Sequence, residues 1–397
     1  MQWQKAVLHN LCEVTSSKRI YASEYQTEGI PFYRGKEISE KYYGNLDVST
    51  ELFITESKFN EIKEKFGVPQ AGDLLLTSVG TLGNPYVVKE GEIFYFKDGN
   101  LTWFKNFKGL DSNYLFYWLV SPQGKAELKK CTIGSSQSAF TIVLLKDMQI
   151  AVPPLPTQRR IADILSAYDD LIENNTRRIR ILEQVAQAIY QEWFGMVDKE
   201  SLPKGWKIVT IADLYDTSSG GTPSRKHDEY YGGEINWVKT QELRDCFVFK
   251  TDEQITEEGL NNSSAKVFPK GTVLIALYGA TIGKLGILAL PASTNQACCA
   301  LLPKTEVYGR GYAYFYFLAN RQKIIGLGGG AAQQNISQVI VKKLEIMKPS
   351  SDIMNKFNNF VEPLLDMICS LQAKNDNLRQ TRDLLLPRLV SGEVEVV

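Results

Sequence analysis

Two stretches of the chain place apolar residues at alternating steps of four and three. The first runs Ile161, Leu165, Tyr168, Ile172, Asn175, Ile179, Leu182, Ala186, Ile189 and Trp193. The second runs Phe357, Val361, Leu364, Ile368, Leu371, Asn375, Leu378, Arg382, Leu385 and Leu389, each 196 residues beyond its counterpart. An unbroken a/d spacing of this length predicts a long helix with a coiled-coil seam. Pro156 and Thr157 start the first helix and Gly195 stops it; Gly392, after Pro387, stops the second. At about 1.5 Å per residue each rod is about 50 Å long, more than a domain of about 150 residues can cover. The rods are therefore expected to pair with each other, and a single asparagine in each seam fixes the register. This puts the helix-pair or partner interface at Ile161, Leu165, Ile172, Asn175, Ile179, Leu182 and Ile189, facing Val361, Ile368, Asn375, Leu378, Leu385 and Leu389. Apolar residues also lie off the seam: Ile164, Leu171, Val185 and Phe194 on one helix, Phe360 and Met367 on the other. They meet either the chain's own globular parts or helices of a partner that complete a bundle.

The equal offset of the two seams belongs to a wider repeat. Residues 134–153 (GSSQSAFTIVLLKDMQIAVP) align with 330–349 (GAAQQNISQVIVKKLEIMKP), and GDLLLTSVGTLGNPYVV (72–88) aligns with GTVLIALYGATIGKLGIL (271–288). Each copy opens with short β-branched and aromatic runs separated by Gly, Pro, Asn and Ser, which predict strands joined by tight turns. Helical patches interrupt them at 112–122 and 311–322. The expected fold is α+β: two α/β domains, 1–155 and 197–351, separated by two long antiparallel helices, 156–196 and 352–397, in an internal pseudo-twofold repeat.

Composition narrows the class. No run of 18 apolar residues occurs, and the opening MQWQKAVLHNLCEV has no secretory-signal pattern. Six cysteines without a framework spacing suit reduced thiols. A cytoplasmic protein without membrane contact is expected. Lys plus Arg equals Asp plus Glu at 45 each. The first domain is balanced and the second has a small positive surplus, so any nucleic-acid binding should be weak without a partner.

Motifs for chemistry are missing. His9 and His227 stand apart, and no metal-ligand spacing or Ser–His–Asp set is evident. GLGGGAAQ (326–333) lacks the Lys-Ser/Thr of a phosphate loop, and GATIGKL (279–285) is one residue short, with Leu285 where a hydroxyl is needed. No Gly-x-Gly-x-x-Gly follows a strand, so neither a dinucleotide nor a methyl-donor site is expected. Asn84-Pro85-Tyr86 matches half of the motif with which adenine methyltransferases hold a flipped base, and reads here as a turn. No cofactor and no metal are expected, and the chain reads as non-catalytic.

The segment IAVPPLPTQRRIADILSAYDDLIENNTRRIRILEQVAQAIYQEWF (150–194) resembles the specificity subunits of type I restriction–modification enzymes. GIPFYRGKEI (29–38), GDLLLTSVGTLG (72–83), LPKGWKIVTIADL (202–214), GGTPSR (220–225), EINWVKTQEL (234–243), YGATIGK (278–284) and QQNIS (333–337) carry the same resemblance. It implies two target-recognition domains that read a bipartite sequence in double-stranded DNA. It also implies partners: two copies of an adenine-methylating subunit, whose helices would meet the off-seam apolar residues, and a restriction subunit for cleavage.

The two copies diverge most in their loops, as expected if each reads different bases. Arg and Lys suit guanine, Asn and Gln suit adenine, and Ser or Thr suit bases or phosphates. The DNA-contact candidates are Arg19, Tyr33, Arg34, Lys36, Ser78, Thr81, Ser135 and Gln137 in the first copy. In the second they are Thr222, Ser224, Arg225, Lys226, Lys239, Tyr278, Thr281, Lys284, Gln333, Gln334 and Asn335. Spacers of about 50 Å would set half-site centres about one turn of B-DNA apart, near 34 Å. A module serving a stand-alone methyltransferase would share this fold. A coiled-coil scaffold with protein- or carbohydrate-binding ends would show no salt-dependent affinity for duplex DNA, and an enzyme with an unfamiliar site would need motifs the sequence lacks.

Overall fold

A computed structural model describes residues 3–45, 47–134, 138–198, 200–328 and 335–396. The chain forms two compact units. One comprises the residues up to Asn174 together with those from Asn375 onward; the other is Asn175–Lys374. Packing thus groups the chain differently from the four consecutive segments 1–155, 156–196, 197–351 and 352–397, because each globular part shares its apolar core with a stretch of both long helices.

In the first unit an antiparallel sheet runs in the order Glu13–Thr15, Leu101–Lys105, Leu74–Thr77, Pro85–Val87. The run Leu-Leu-Leu is apolar throughout because strand Leu74–Thr77 is buried on both faces. Leu74 and Leu76 point to the core containing Leu115, Trp118, Ile161 and Leu165, while Leu75 points to the one with Phe96 and Trp103. A three-stranded sheet, Phe53–Ile54, Ile30–Tyr33 and Tyr95–Phe96, lies in the same unit.

The second unit repeats the plan with one more strand. Its sheet runs Tyr215–Ser219, Cys298–Pro303, Val273–Ala276, Leu285–Leu288, and then Cys246–Val248 parallel to the last. Val273 and Ile275 face the core that includes Phe357 and Val361; Leu274 and Ala276 face the opposite one. In both units the helix behind the sheet is pinned by a tyrosine. The Tyr114 hydroxyl donates to the Ala151 carbonyl at 2.9 Å and the Tyr312 hydroxyl to the Met347 carbonyl at 2.6 Å.

The long helices span Leu155–Tyr190, followed by a π turn at Gln191–Gly195, and Ser351–Ser391, closed by Gly392 at φ +76°. They run antiparallel inside the first unit, where Asn375 donates to the Ile172 carbonyl at 3.4 Å and, further along, Arg382 pairs with Asp169. In the second unit Tyr190 and Trp193 pack on Phe357. Of the interface residues, Ile161, Leu165, Asn175, Ile179, Val361, Ile368, Asn375 and Leu389 are buried, whereas Ile172, Leu182, Ile189, Leu378 and Leu385 are only half-buried. Leu365, Leu386, Tyr190 and Phe194, each one step past a seam position, are buried more deeply. A helix with 3.6 residues per turn drifts by about 20° per heptad from a 3.5-residue seam, and here the drift turns the apolar stripe onto the globular cores. The off-seam residues divide accordingly. Ile164 and Phe194 join those cores, while Leu171, Val185, Phe360 and Met367 remain exposed.

The first helix starts where Gln158, fully buried, ties three backbone groups. It accepts from the Asp111 amide at 2.8 Å and donates to the carbonyls of Gly109 at 2.9 Å and Pro153 at 2.8 Å. No helix is long and apolar enough to cross a membrane, and among the described residues no group of His, Cys, Asp and Glu is placed to hold a metal ion.

Candidate nucleic-acid interface

One local construction occurs in both units. The turn that leaves the central strand is laid against a returning segment by the same backbone bond. In the first unit the Phe140 amide donates to the Ser78 carbonyl at 3.0 Å; in the second the Ile336 amide donates to the Leu277 carbonyl at 2.8 Å. Bridges between Val79 and Ala139, and between Tyr278 and Asn335, extend the match. Each turn carries two glycines at positive φ, Gly80 and Gly83, then Gly279 and Gly283, a conformation that side chains with a Cβ resist.

The turns differ in what they present. In the first, Thr81 is exposed, but Ser78 is buried, its hydroxyl bonded to Thr102 at 2.7 Å and to the Leu76 carbonyl. Ser78 therefore braces the turn from beneath. Tyr33, Arg34 and Lys36 lie on the segment beside it, where a Cβ on Gly35 would stand 3.7 Å from the Val79 carbonyl. Tyr33 stacks on Phe94 at 4.7 Å; Arg34 pairs with Glu37 at 2.9 Å, and its buried Nε has no partner. Lys36 is exposed, 3.8 Å from Glu40. Arg19 sits elsewhere, held to Asp98 at 3.0 Å. Ser135 and Gln137 lie outside the described residues, as do Gln333 and Gln334.

In the second unit Tyr278 is more than a third exposed, Thr281 is half-buried and Asn335 is exposed opposite them. Lys284 follows the turn, paired with Asp245 at 2.8 Å. A second group collects around Glu253, which takes Arg225 at 2.6 Å and Lys239 at 2.9 Å, while Arg225 also stacks on Tyr231. Ser224 and Lys226 are exposed in the same loop, and Thr222 donates to Gln296 at 2.5 Å. The loop around Gln296 joins this group to the turn, since the Leu277 amide donates to the Ala297 carbonyl at 2.8 Å. The Gly-Gly of GGTPSR is a packing requirement. A Cβ on Gly220 would stand 1.9 Å from the Thr294 carbonyl. Asn84 opens the edge strand, its amide on the Thr77 hydroxyl at 2.9 Å.

The family model described as the type I restriction modification DNA specificity domain matches residues 1–184 and again 203–380, taking in both units. The chain belongs to this family. Membership makes it a DNA specificity subunit, the non-catalytic component of type I restriction–modification complexes. It is 24% identical to the MjaIX specificity subunit of Methanocaldococcus jannaschii, over 99% of this chain and 94% of that one. It is 25% identical to the HindI specificity subunit of Haemophilus influenzae, over 71% and 77%. A type I S subunit from M. genitalium shares the fold, with a TM-score of 0.64 at 15% identity, over 98% and 96% of the two chains.

The acids that hold the candidate contacts are largely unmarked in the sequence. Asp98, Glu37, Glu253 and Asp245 each hold one or more of the candidate cations, and Gln296 holds Thr222. The only local sign was Glu37 three residues after Arg34, the spacing of a capping box, in which the Arg34 amide donates to Glu37 at 2.8 Å. The other partners come from 14 to 79 residues away.

Proposed function

We propose that the chain reads a bipartite, asymmetric site in duplex DNA, one half-site per unit. It would hold two copies of an adenine-methylating subunit and a restriction subunit against that site, in the cytoplasm. The observation that carries this reading is the repeated turn. The same backbone frame presents Thr81 in one unit and Tyr278, Thr281 and Asn335 in the other. Equal frames with unequal side chains suit two unlike half-sites. Tyr33, Arg34 and Lys36 flank the first turn, and Thr222, Ser224, Arg225, Lys226, Lys239 and Lys284 the second. Ser135, Gln137, Gln333 and Gln334, outside the described residues, are proposed as contacts on their sequence alone.

The pairing of Arg19, Arg34, Arg225, Lys239 and Lys284 with acids offsets most of the positive charge among the candidate contacts. Affinity for DNA should accordingly be low for the chain alone and rise when the methylating subunits clasp the duplex. Leu171, Val185, Phe360 and Met367, exposed on the helices, are the expected seats for those subunits. Genome-wide mapping of methylated adenines tests the assignment. Thr81→Ala should relax one half-site, and Tyr278→Ala with Thr281→Ala the other. Variants that leave both half-sites unchanged would refute it.

A further inference from the structure

We propose that Asp245 and Arg321 form a positioning pair that holds the Tyr278–Gly283 turn in its DNA-reading form. The inference rests on the assignment of that turn as a reading element. Asp245 precedes strand Cys246–Val248 and has φ +60°, a left-handed conformation that non-glycine residues adopt at a cost in backbone energy. What it gains there is a set of bonds to the far end of the turn. Its amide donates to the Leu285 carbonyl at 2.8 Å, and Oδ1 accepts from the Leu285 amide at 3.0 Å. Oδ2 accepts from Lys284 at 2.8 Å, and Oδ1 also accepts from the Arg321 guanidinium. Arg321 in turn donates from Nε to the Gly283 carbonyl at 2.9 Å. Three successive residues, Gly283, Lys284 and Leu285, are thus held to one carboxylate and its arginine. Behind them, the Tyr314 hydroxyl donates to the Asp245 carbonyl at 3.0 Å and ties the pair to helix Arg310–Ala319.

Gly283 fits the same account. Its φ is +76°, and a Cβ would meet Ile325 at 3.1 Å and Arg321 at 3.2 Å, so the turn closes directly onto the clamp. A carboxylate beside a surface that meets a polyanion is unfavourable by itself. Here Lys284 and Arg321 both neutralise it. The first unit holds its turn by other means, through the Thr77 hydroxyl on the Asn84 amide and the Ser78 hydroxyl on Thr102. Among the described residues it has no strand in the place of Cys246–Val248. Weakening the clamp should therefore disturb one half-site and spare the other.

The test compares Asp245→Asn, Arg321→Gln and the double variant in the assembled complex, by mapping methylated adenines. Asparagine tolerates the left-handed conformation, so the backbone is retained while the ion pair is lost. The expected result is about a tenfold rise in methylation of sites mismatched in the second unit's half-site, with the other half-site read as before. The double variant should equal either single one, as for residues acting through each other, and Arg321→Lys should restore part of the discrimination. Equal relaxation of both half-sites, or lower methylation everywhere with an unchanged site, would mean that Asp245 serves stability alone and would overturn the proposal. Tyr278→Ala and Thr281→Ala are measured alongside. If they relax the half-site and Asp245→Asn does not, only the clamp falls; if they too are silent, the reading turn falls with it.

Discussion

Gln158→Met places in the first unit the residue that the repeat carries at Met354, and both side chains are fully buried. Volume and apolar contact are nearly kept, so what is lost is the set of three bonds to Asp111, Gly109 and Pro153. Each stranded backbone group costs about 1–3 kcal/mol when buried without a partner. Partial relaxation and water entry at the rim of the loop bring the total to about 3 kcal/mol. Native-state hydrogen exchange resolves the two units, which a single melting curve would merge. The Asp111 amide and those of helix Ser112–Val120 should exchange about a hundredfold faster, since about 1.4 kcal/mol corresponds to a factor of ten. Amides of helix Arg310–Ala319, in the other unit, should be unaffected. Acceleration of less than tenfold at Asp111, or equal acceleration in both units, would refute the reasoning.

Two further outcomes follow. Burial, with the nearby Asp245 charge adding to it, raises the Glu183 carboxyl from near 4.5 to about 7. Because the folded value is the higher one, the stabilisation is complete below about pH 4.5 and is lost as pH rises through about 7. Glu183→Gln should therefore stabilise the second unit at pH 8 by about 1–2 kcal/mol and flatten its stability between pH 5 and 8, as read by native-state hydrogen exchange of that unit's core amides across that range; an unchanged pH slope would count against it. Inserting one matched heptad into each long helix should widen the permitted gap between half-sites by about 10 Å, or about three base pairs, with the bases read unchanged. A changed half-site with an unchanged gap in methylation maps would contradict the spacer role.

How much of this could be read from the chain depends on the range of the interactions concerned. The helices were legible because a seam repeated at steps of four and three needs only residues within one turn of each other. Central strands Leu74–Thr77 and Val273–Ala276 were legible because continuous apolar runs between turn residues suit a strand covered on both faces. The duplication was visible because both copies keep the same order of core positions, and the glycine-bounded turns because positive φ restricts the residue type. Side-chain direction and pairing were not. Ser78 looked like a contact residue but points inward to Thr102, and Lys284 looked free but is held by Asp245 from 39 residues away. Leu365 and Leu386 displaced Leu364 and Leu385 in the core because the globular parts, absent from any helical period, set where the stripe turns. Local periodicity and backbone conformation are short-range properties and are written in the sequence. Which charge is neutralised, and which face of a helix is covered, is settled only when segments distant along the chain are packed together.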